Sequence, residues 1–480
     1  MLNAGNIKEW KSRNLINCLF GMGNGKEFDQ WINYLSESEK QNIPLIGPIF
    51  WEGKGPLHYV RNSNINSIQK YIEQAKGSKN LIGWSWQDEP NMGGECQYVP
   101  APVCRSWTYI CHNYDPDRLV FINLMGADFF PGNHLDWSWH HSRINKFNYW
   151  GDQKKFFGNK DQFGGKPAMI ADVIGFDNYP IEYSEAAGFN DPSRGPIDIS
   201  LESFDNAKEW NKDLLPIMVF IETNDLHGDG NPAPLPSQVY MMAWLNIIHG
   251  AKGINWFHYF NPTSLETEKM MALFNKQMDL YQHIILGAKP DVDISDNADV
   301  RGRRVDIMVR QKDSLVYIFA GRVTEPSWEY KEVDEPSSID VTFKTGSLSS
   351  RPVKTLFPAE SNTLVQNQSG FTDIFSRDQI KIYCISKDKL TESVKPALKG
   401  NSSNSLYRIL SKKQGNIFEN NSDEKLKISI FNTRGQFVKN VTIEPMAGKL
   451  LDKELPIGKY IIYSERFKGS FSMVVLKCEH

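Results

Sequence analysis

The stretch LPIMVFIETND at residues 215–225, followed by PSQVYMMAWLNIIHGA at 236–251 and KGINWFHY at 252–259, decides how the first half of the chain is built. The first run is apolar from Ile217 to Ile221 without polar alternation, the pattern of a parallel strand covered on both faces. The second has helical periodicity, and the third is another short buried strand. Working outward toward the N-terminus, equivalent runs recur at NLINCLFGM (14–22), IPLIGPIFW (43–51), LIGWSW (81–86), LVFINLMG (119–126) and DVIGFDNY (172–179). Amphipathic stretches such as KEFDQWINYLSESEKQ and INSIQKYIEQAK lie between them. Strand–helix alternation over this length predicts a parallel α/β fold. Polar and aromatic residues gather at the C-terminal ends of the runs, which favours a TIM-type (β/α)8 barrel over an open sheet. No GxGxxG or GxxxxGK[ST] follows any run, which argues against a nucleotide-binding sheet. Seven runs are present where a complete barrel has eight.

Beyond residue 288 the pattern changes. DVRGRRVDIMVRQKDSLVYIFAGRV, IDVTFKT, RPVKTLFP, TDIFSRD and QIKIYCI are short strands separated by Gly, Pro, Ser and Asp turns, which predicts an antiparallel β-sandwich. A Lys-, Ser- and Asn-rich stretch with KGNSSNS and ENNSDE reads as a linker. The chain thus divides into a barrel (1–288), a sandwich (289–388), a linker (389–423) and a β-rich C-terminal domain (424–480). At 480 residues, more than one core is expected in any case.

Net charge is −3, which gives no electrostatic basis for binding nucleic acid or an anionic membrane. No apolar run reaches the length of a membrane span. Six cysteines are scattered without a CxxC pair, which argues against structural zinc, and no cofactor is implied. Cys96 and Cys104 share the loop CQYVPAPVC, where either a bridge in an oxidising compartment or free buried thiols fit the spacing.

Two strand ends carry candidate chemistry. LIGWSWQDEPN presents Asp88 and Glu89 after a buried strand, and Pro90 stops it; LPIMVFIETND delivers Glu222, followed by Asn224 and Asp225. A carboxylate ending so apolar a strand is costly to bury unpaired. Pairing with Lys or Arg at the rim is the structural alternative, but two glutamates at matched strand ends favour function. Two carboxylates across a pocket are what glycosidic cleavage requires: one donates a proton to the leaving oxygen, the other attacks the anomeric carbon. Asp88 adds a third negative group, expected to favour a protonated Glu89.

On these motifs the barrel resembles the clan A glycoside hydrolases over roughly residues 10–288. GWSWQDEPN is similar to the strand 4 motif of that clan, IGFDNYP to strand 6, VFIETND to strand 7 and GAKGINWFHY to strand 8, in the same order. The resemblance implies Glu89 as acid/base, Glu222 as nucleophile, Tyr179 hydrogen-bonded to Glu222 and Trp256 as the platform under the reacting sugar. It also places the strand at Cys18 second in the clan's order, so that the natural chain is expected to begin upstream. The clan usually carries Asn where this chain has Asp88. Trp51, at the end of FWEG, and His258 are further candidates for the substrate pocket, as is His227. The aromatic loop DWSWHHSRINKFNYW, with Trp137, Trp139, Tyr149 and Trp150, fits sugar subsites. Adjacent His140 and His141 are poorly placed to share one metal ion, so no metal site is expected.

The last segment, with LKISIFNTRGQFVKN and LPIGKYIIYSERFKGSFSMVVLK, resembles the C-terminal sorting domain of the type IX secretion system of Bacteroidetes. That likeness implies a secreted or cell-surface protein with the secretion machinery as a partner, although MLNAGNIKEWKSRN shows no signal-peptide pattern. The expected activity is a retaining glycosidase acting on a carbohydrate substrate. The alternative is a non-catalytic carbohydrate-binding protein on a degraded barrel.

Overall fold

The barrel strands follow directly from the apolar runs. They are β1 (Leu19–Phe20), β2 (Leu45–Pro48), β3 (Leu81–Asp88) and β4 (Leu119–Met125), then, after a small hairpin of β5 (Asp161–Phe163) and β6 (Lys166–Ala168), β7 (Val173–Asp177), β8 (Ile217–Glu222) and β9 (Gly253–Phe257). The seven barrel strands form one parallel sheet in the order β1-β2-β3-β4-β7-β8-β9. The structure, a computed structural model, describes residues 6–20, 28–48, 69, 72–89, 101–126, 161–163, 166–181, 195–211, 215–225, 233–257, 263–298, 304–325, 336–349, 351–358, 363–364, 366–367, 370–387, 407–412, 415–420, 426–432, 437–443, 447–450, 458–463 and 472–476.

Alternation along each strand separates two cores. On β8, Ile217, Val219 and Ile221 pack outward with the helices. Met218 packs inward with Cys18, Phe20, Ile46, Phe121 and Val173. Phe20 meets Phe121 edge-on at 6.1 Å and Phe220 at 5.6 Å. Since β1 and β8 are far apart in strand order, their rings can touch only because the sheet curls round on itself. The fold is therefore a TIM-type barrel, with seven parallel strands among the described residues. Among the described residues, β1 pairs only with β2 and β9 only with β8.

Helices α1 (Ile7–Ser12), α2 (Phe28–Gln41), α3 (Ala101–Tyr114), α4 (Pro196–Asn211), α5 (Pro236–His249) and α6 (Leu265–Ile285) are arranged with the barrel. The segment after α1 docks on α6: Asn14 Nδ2 donates to the Ala272 carbonyl (3.3 Å), Asn275 Nδ2 donates to the Asn14 carbonyl (2.8 Å), and Arg13 pairs with Glu268. The first and last helical regions of the barrel thus meet. Cys104 on α3 is fully buried, and burial pushes its thiol pKa up to about 12; Cys96, the other cysteine of that loop, lies outside the described residues.

The sandwich comprises β10 (Val305–Lys312), β11 (Leu315–Arg322), β12 (Ser338–Phe343), β13 (Val353–Phe357), β14 (Thr363–Leu364), β15 (Phe371–Ser376) and β16 (Ile380–Ser386). A five-stranded sheet, β10-β11-β16-β13-β14, and the β12-β15 pair enclose a core around Phe343, Phe371, Phe375 and Tyr383. Barrel and sandwich form one compact unit, Met1–Lys389. The reason is visible in α5, which is apolar on nearly every face and is buried on nearly every face. Its Trp244 stacks on Phe319 of β11 at 5.9 Å, while its indole N–H and the Tyr240 hydroxyl both donate to Gln277 Oε1 of α6 (2.9 and 2.7 Å).

Charged groups reinforce this seam. Glu325, just past β11, accepts the backbone N–H groups of Ile197 and Asp198 (2.9 Å each), capping the positive N-terminal end of α4. At the end of α5, His249 lies between Asp205 of α4 (2.8 Å) and Asp306 of β10 (2.9 Å). Arg304 also holds Asp306 and pairs with Asp198, and Lys208 donates to the His249 carbonyl.

The second unit, Leu390–His480, is all strand where described. It holds β17 (Tyr407–Lys412), β18 (Gly415–Asn420), β19 (Leu426–Asn432), β20 (Phe437–Ile443), β21 (Ala447–Leu450), β22 (Gly458–Tyr463) and β23 (Ser472–Leu476), in sheets β17-β18-β21 and β20-β19-β22-β23. Part of the stretch read as linker is therefore a hairpin, Tyr407 opposite Asn420 through Lys412 opposite Gly415. Its apolar residues Ile409, Leu410, Ile417 and Phe418 are few enough to be masked by the surrounding Lys, Ser and Asn.

Burial alone would lower the His249 pKa, but its hydrogen bonds to Asp205 and Asp306 and their charges outweigh that and push it up to about 9. A pKa raised above the ordinary 6.5 stabilises the fold fully below that pH, and the contribution is lost as pH rises through 9. Between pH 6 and 10 the chain should lose roughly 3 kcal/mol more unfolding free energy than its His249→Gln variant. Urea denaturation at both pH values measures this, and parallel curves for the two proteins would contradict it.

Candidate active site

Inward-facing positions change character along the strands. Toward the N-terminal ends the interior holds Phe20, Ile46, Phe121 and Val173; further along the same faces come Asn123 on β4, Asp177 on β7 and Glu222 on β8. The register makes this explicit: Phe121 pairs with Val173, Asn123 with Gly175, and Asp177 with Phe220, two residues before Glu222. The mouth at the C-terminal ends, where barrel enzymes keep their sites, is therefore polar.

Glu222 is fully buried, and its Oε1 accepts the Ile181 backbone N–H at 2.7 Å. Its register partner on β9 is Phe257, and Thr223 anchors the chain behind it by donating its N–H (3.1 Å) and hydroxyl (2.9 Å) to the Phe257 carbonyl. Tyr179 stacks on Phe257 with ring centroids 5.2 Å apart, so its ring lies along the same wall as the nucleophile candidate.

Glu89 comes just after a β-bulge. The β3–β4 register runs from Ser85 opposite Phe121 to Asp88 opposite Asn123, one residue more on β3 than on β4. A bulge bends its strand and re-aims the side chains beyond it. Glu89 is half-buried, with φ of 44°, a left-handed conformation uncommon outside Gly, Asn and Asp. Its backbone N–H donates to the Asn123 carbonyl (3.0 Å), which fixes this turn to β4. In strand order, β4 and β7 separate β3 from β8, so the two glutamates come from well-separated walls of the mouth.

Trp256 requires a correction. Alternation on β9 turns Gly253, Asn255 and Phe257 inward with Met218, Phe220 and Glu222, and turns Trp256 outward. Its ring packs edge-on against Phe274 of α6 at 5.3 Å, inside the helix layer, so it is not placed as a platform beneath a sugar. Trp51, His258, His227 and the aromatic loop containing His140 and His141 lie outside the described residues, as do the side-chain surroundings of Asp88. No group of three metal-binding side chains occurs among the described residues.

Asn123 and Asp177 stand within the barrel runs, and neither carries an expected role from the sequence. In the fold, Asn123 Nδ2 donates to Asp177 Oδ2 at 2.8 Å, and both residues are buried. Gly175 makes room for this pair, since a Cβ there would sit 2.7 Å from Asn123 Oδ1. The signal was available: a polar residue interrupting LVFINLMG has to find a partner once the strand is buried.

No family model matches the chain, and no curated protein matches it. Among solved structures, an α-amylase from Geobacillus thermoleovorans complexed with acarbose is similar at 8% identity, covering 80% of this chain and 92% of that one, with a TM-score of 0.44. A glycoside hydrolase family 5 protein from Bacteroides vulgatus is similar at 10% identity, over 80% and 86%, with a TM-score of 0.45. A further structure described as a glycoside hydrolase gives 10% identity, 81% and 90% coverage, and 0.47. At such values these likenesses carry no weight of their own, and the barrel stands on its strand order and register.

Replacing Asn123 with Ala removes the amide donor from the buried Asp177 carboxylate, and should cost about 1–3 kcal/mol of stability. Asn123→Asp, which sets two carboxylates face to face, should cost more. Equilibrium denaturation of both variants checks the order, and equal stability for all three proteins would show the pair to be incidental.

Proposed function

We propose that this chain is a retaining glycoside hydrolase that cleaves O-glycosidic bonds in a plant or algal polysaccharide or its fragments. The observation that carries the reading is a fully buried Glu222, held by a backbone N–H at the C-terminal end of a parallel barrel strand, with Glu89 at the end of a separate strand. In this reading Glu222 attacks the anomeric carbon and forms a glycosyl-enzyme intermediate. Glu89 protonates the departing oxygen and then, as a base, activates the water that releases the sugar. The aromatic surroundings of Glu222, with Phe220 and Phe257 rings 6.1 Å apart, provide apolar walls that strengthen charge interactions at the reacting centre. Tyr179 hydrogen-bonds Glu222, and Asp88 acts on the protonation of Glu89. Trp51 and His258 line the sugar pocket.

The C-terminal unit acts as an export address, making the protein secreted or cell-surface. The antiparallel pairs β19–β20 and β22–β23 agree with the two hairpins on which that reading rests. A second reading, a carbohydrate-binding protein without turnover, draws on the sheet having seven strands among the described residues, with β1 and β9 at its two ends. Activity separates the two.

On a panel of aryl glycosides the unaltered chain should turn over at least one substrate, Glu222→Gln should fall to background, and Glu89→Gln should lose roughly 10²–10⁴-fold. Product analysis by NMR should show retained anomeric configuration, and the two carboxyl groups are then expected about 5 to 5.5 Å apart. Activity that survives Glu222→Gln would remove the nucleophile from this scheme, and an inverted product would replace nucleophilic attack with base-assisted attack by water.

A further inference from the structure

Asn123, at the mouth end of β4, is hydrogen-bonded to the strand on each side of it: to Glu89 after β3 and to Asp177 of β7. We propose that Asn123 is a positioning residue for Glu89, its amide bond to Asp177 fixing the backbone carbonyl on which the Glu89 turn rests. The inference rests on Glu89 being the acid/base of the reaction proposed above. It adds to that scheme a residue that governs proton delivery without carrying the proton.

The direction of the peptide groups along β4 carries the argument. In an extended strand the N–H and C=O of one residue point to the same side, and those of the next residue point to the other. The Val120 carbonyl accepts from the Asp172 N–H just before β7 (2.8 Å), and the Asn123 carbonyl accepts from the Glu89 N–H just after β3 (3.0 Å). Even-numbered residues of β4 therefore bond toward β7, and odd-numbered ones toward β3. With its backbone turned to β3, Asn123 reaches β7 by its side chain, whose Nδ2 donates to Asp177 Oδ2 at 2.8 Å. Both partners are buried, where such a bond is stronger than in water. Gly175 lets Asn123 lie close against β7, since a Cβ there would sit 2.7 Å from Asn123 Oδ1 and 3.1 Å from its Cα.

What this anchor supports is a turn that needs support. Glu89 follows the β3 bulge with φ of 44°, and a residue other than glycine persists in that region only where its surroundings fix it. The bond from its N–H to the Asn123 carbonyl is one such restraint. A general acid has to stand within hydrogen-bond reach of the leaving oxygen, about 2.6–3.2 Å, so a turn displaced by about an ångström no longer delivers its proton. Glu222 is held separately, through the Ile181 N–H. Loosening Asn123 therefore disturbs one carboxylate of the pair and leaves the other in place.

The test compares leaving groups on the full chain. From a dinitrophenyl glycoside the leaving group departs as a stable anion and needs no proton. From a phenyl glycoside of the same sugar it needs one, and kcat/KM reports the step in which it leaves. Asn123→Ala should lower kcat/KM at least about tenfold on the phenyl glycoside and less than about threefold on the dinitrophenyl one. Asp177→Ala removes the same bond from its other end and leaves no buried charge there. It should show the same split, and the double variant should lose no more than either single one. Crystal structures of Asn123→Ala and Asp177→Ala should show the Glu89 turn moved and Glu222 in place. Equal losses on the two substrates overturn the proposal, because disturbed packing acts on both alike. Losses that add in the double variant overturn it as well, as does an unmoved Glu89 turn. Glu89→Gln is the control for the scheme: if it shows no split, or if the unaltered chain turns over no glycoside, the acid/base reading fails by itself. The crystallographic arm then decides alone whether Asn123 holds the turn.

Discussion

A sheet that closes on itself has to fill its own interior, and in this barrel the contact of Phe20, Phe121 and Phe220 does so from three strands. Everything at the mouth depends on that contact. Side chains alternate along a strand, so a Phe220 that points inward commits Glu222 to point inward one layer higher. The same alternation carries β4 from Phe121 to Asn123, and β7 from Val173 through Gly175 to Asp177. A slip of one residue in β8 would send Glu222 into the helix layer and Ile221 into the mouth. The apolar plug therefore sets the register of the polar site above it.

The candidate acid/base side departs from this regularity. Strict alternation through β3 would have continued Gly83, Ser85, Gln87 on the inner face. The bulge instead brings Asp88 opposite the inward Asn123 and leaves Glu89 in a left-handed turn tied to the Asn123 carbonyl. Asn123 is thus shared: its backbone holds the chain at Glu89, and its side chain holds Asp177. One residue of β4 couples three parts of the mouth.

The sandwich bears on the same region through the helices flanking β8. Helix α4 comes before that strand and α5 after it, and each is held by a carboxylate from the sandwich side. Glu325 caps α4, and Asp306 grips His249 at the end of α5. Ser237, in the first turn of α5, donates to Asp378 at 2.6 Å, so α5 is tied at both ends. With Trp244 stacked on Phe319 between these ties, the sandwich acts as the outer wall of the barrel segment that bears Glu222.

The sequence by itself determined the parallel strand–helix alternation, the seven strands, the antiparallel sandwich and the two glutamates at strand ends, because these are written in local periodicity and in the cost of ending an apolar strand with a charge. Asn123 interrupts an apolar run, a pattern that calls for a partner without saying which. The inward or outward facing of Trp256 was not legible, because every residue of GINWF is apolar enough for either core except Asn255, and only pairing with β8 fixes the parity. The bulge before Glu89 depends on how β3 and β4 register. The Asn123–Asp177 bond and the His249–Asp306 contact join residues 54 and 57 positions apart. Such contacts exist only after the sheet has curled and the sandwich has docked, since geometry between distant segments is set by packing and not by the pattern within either one.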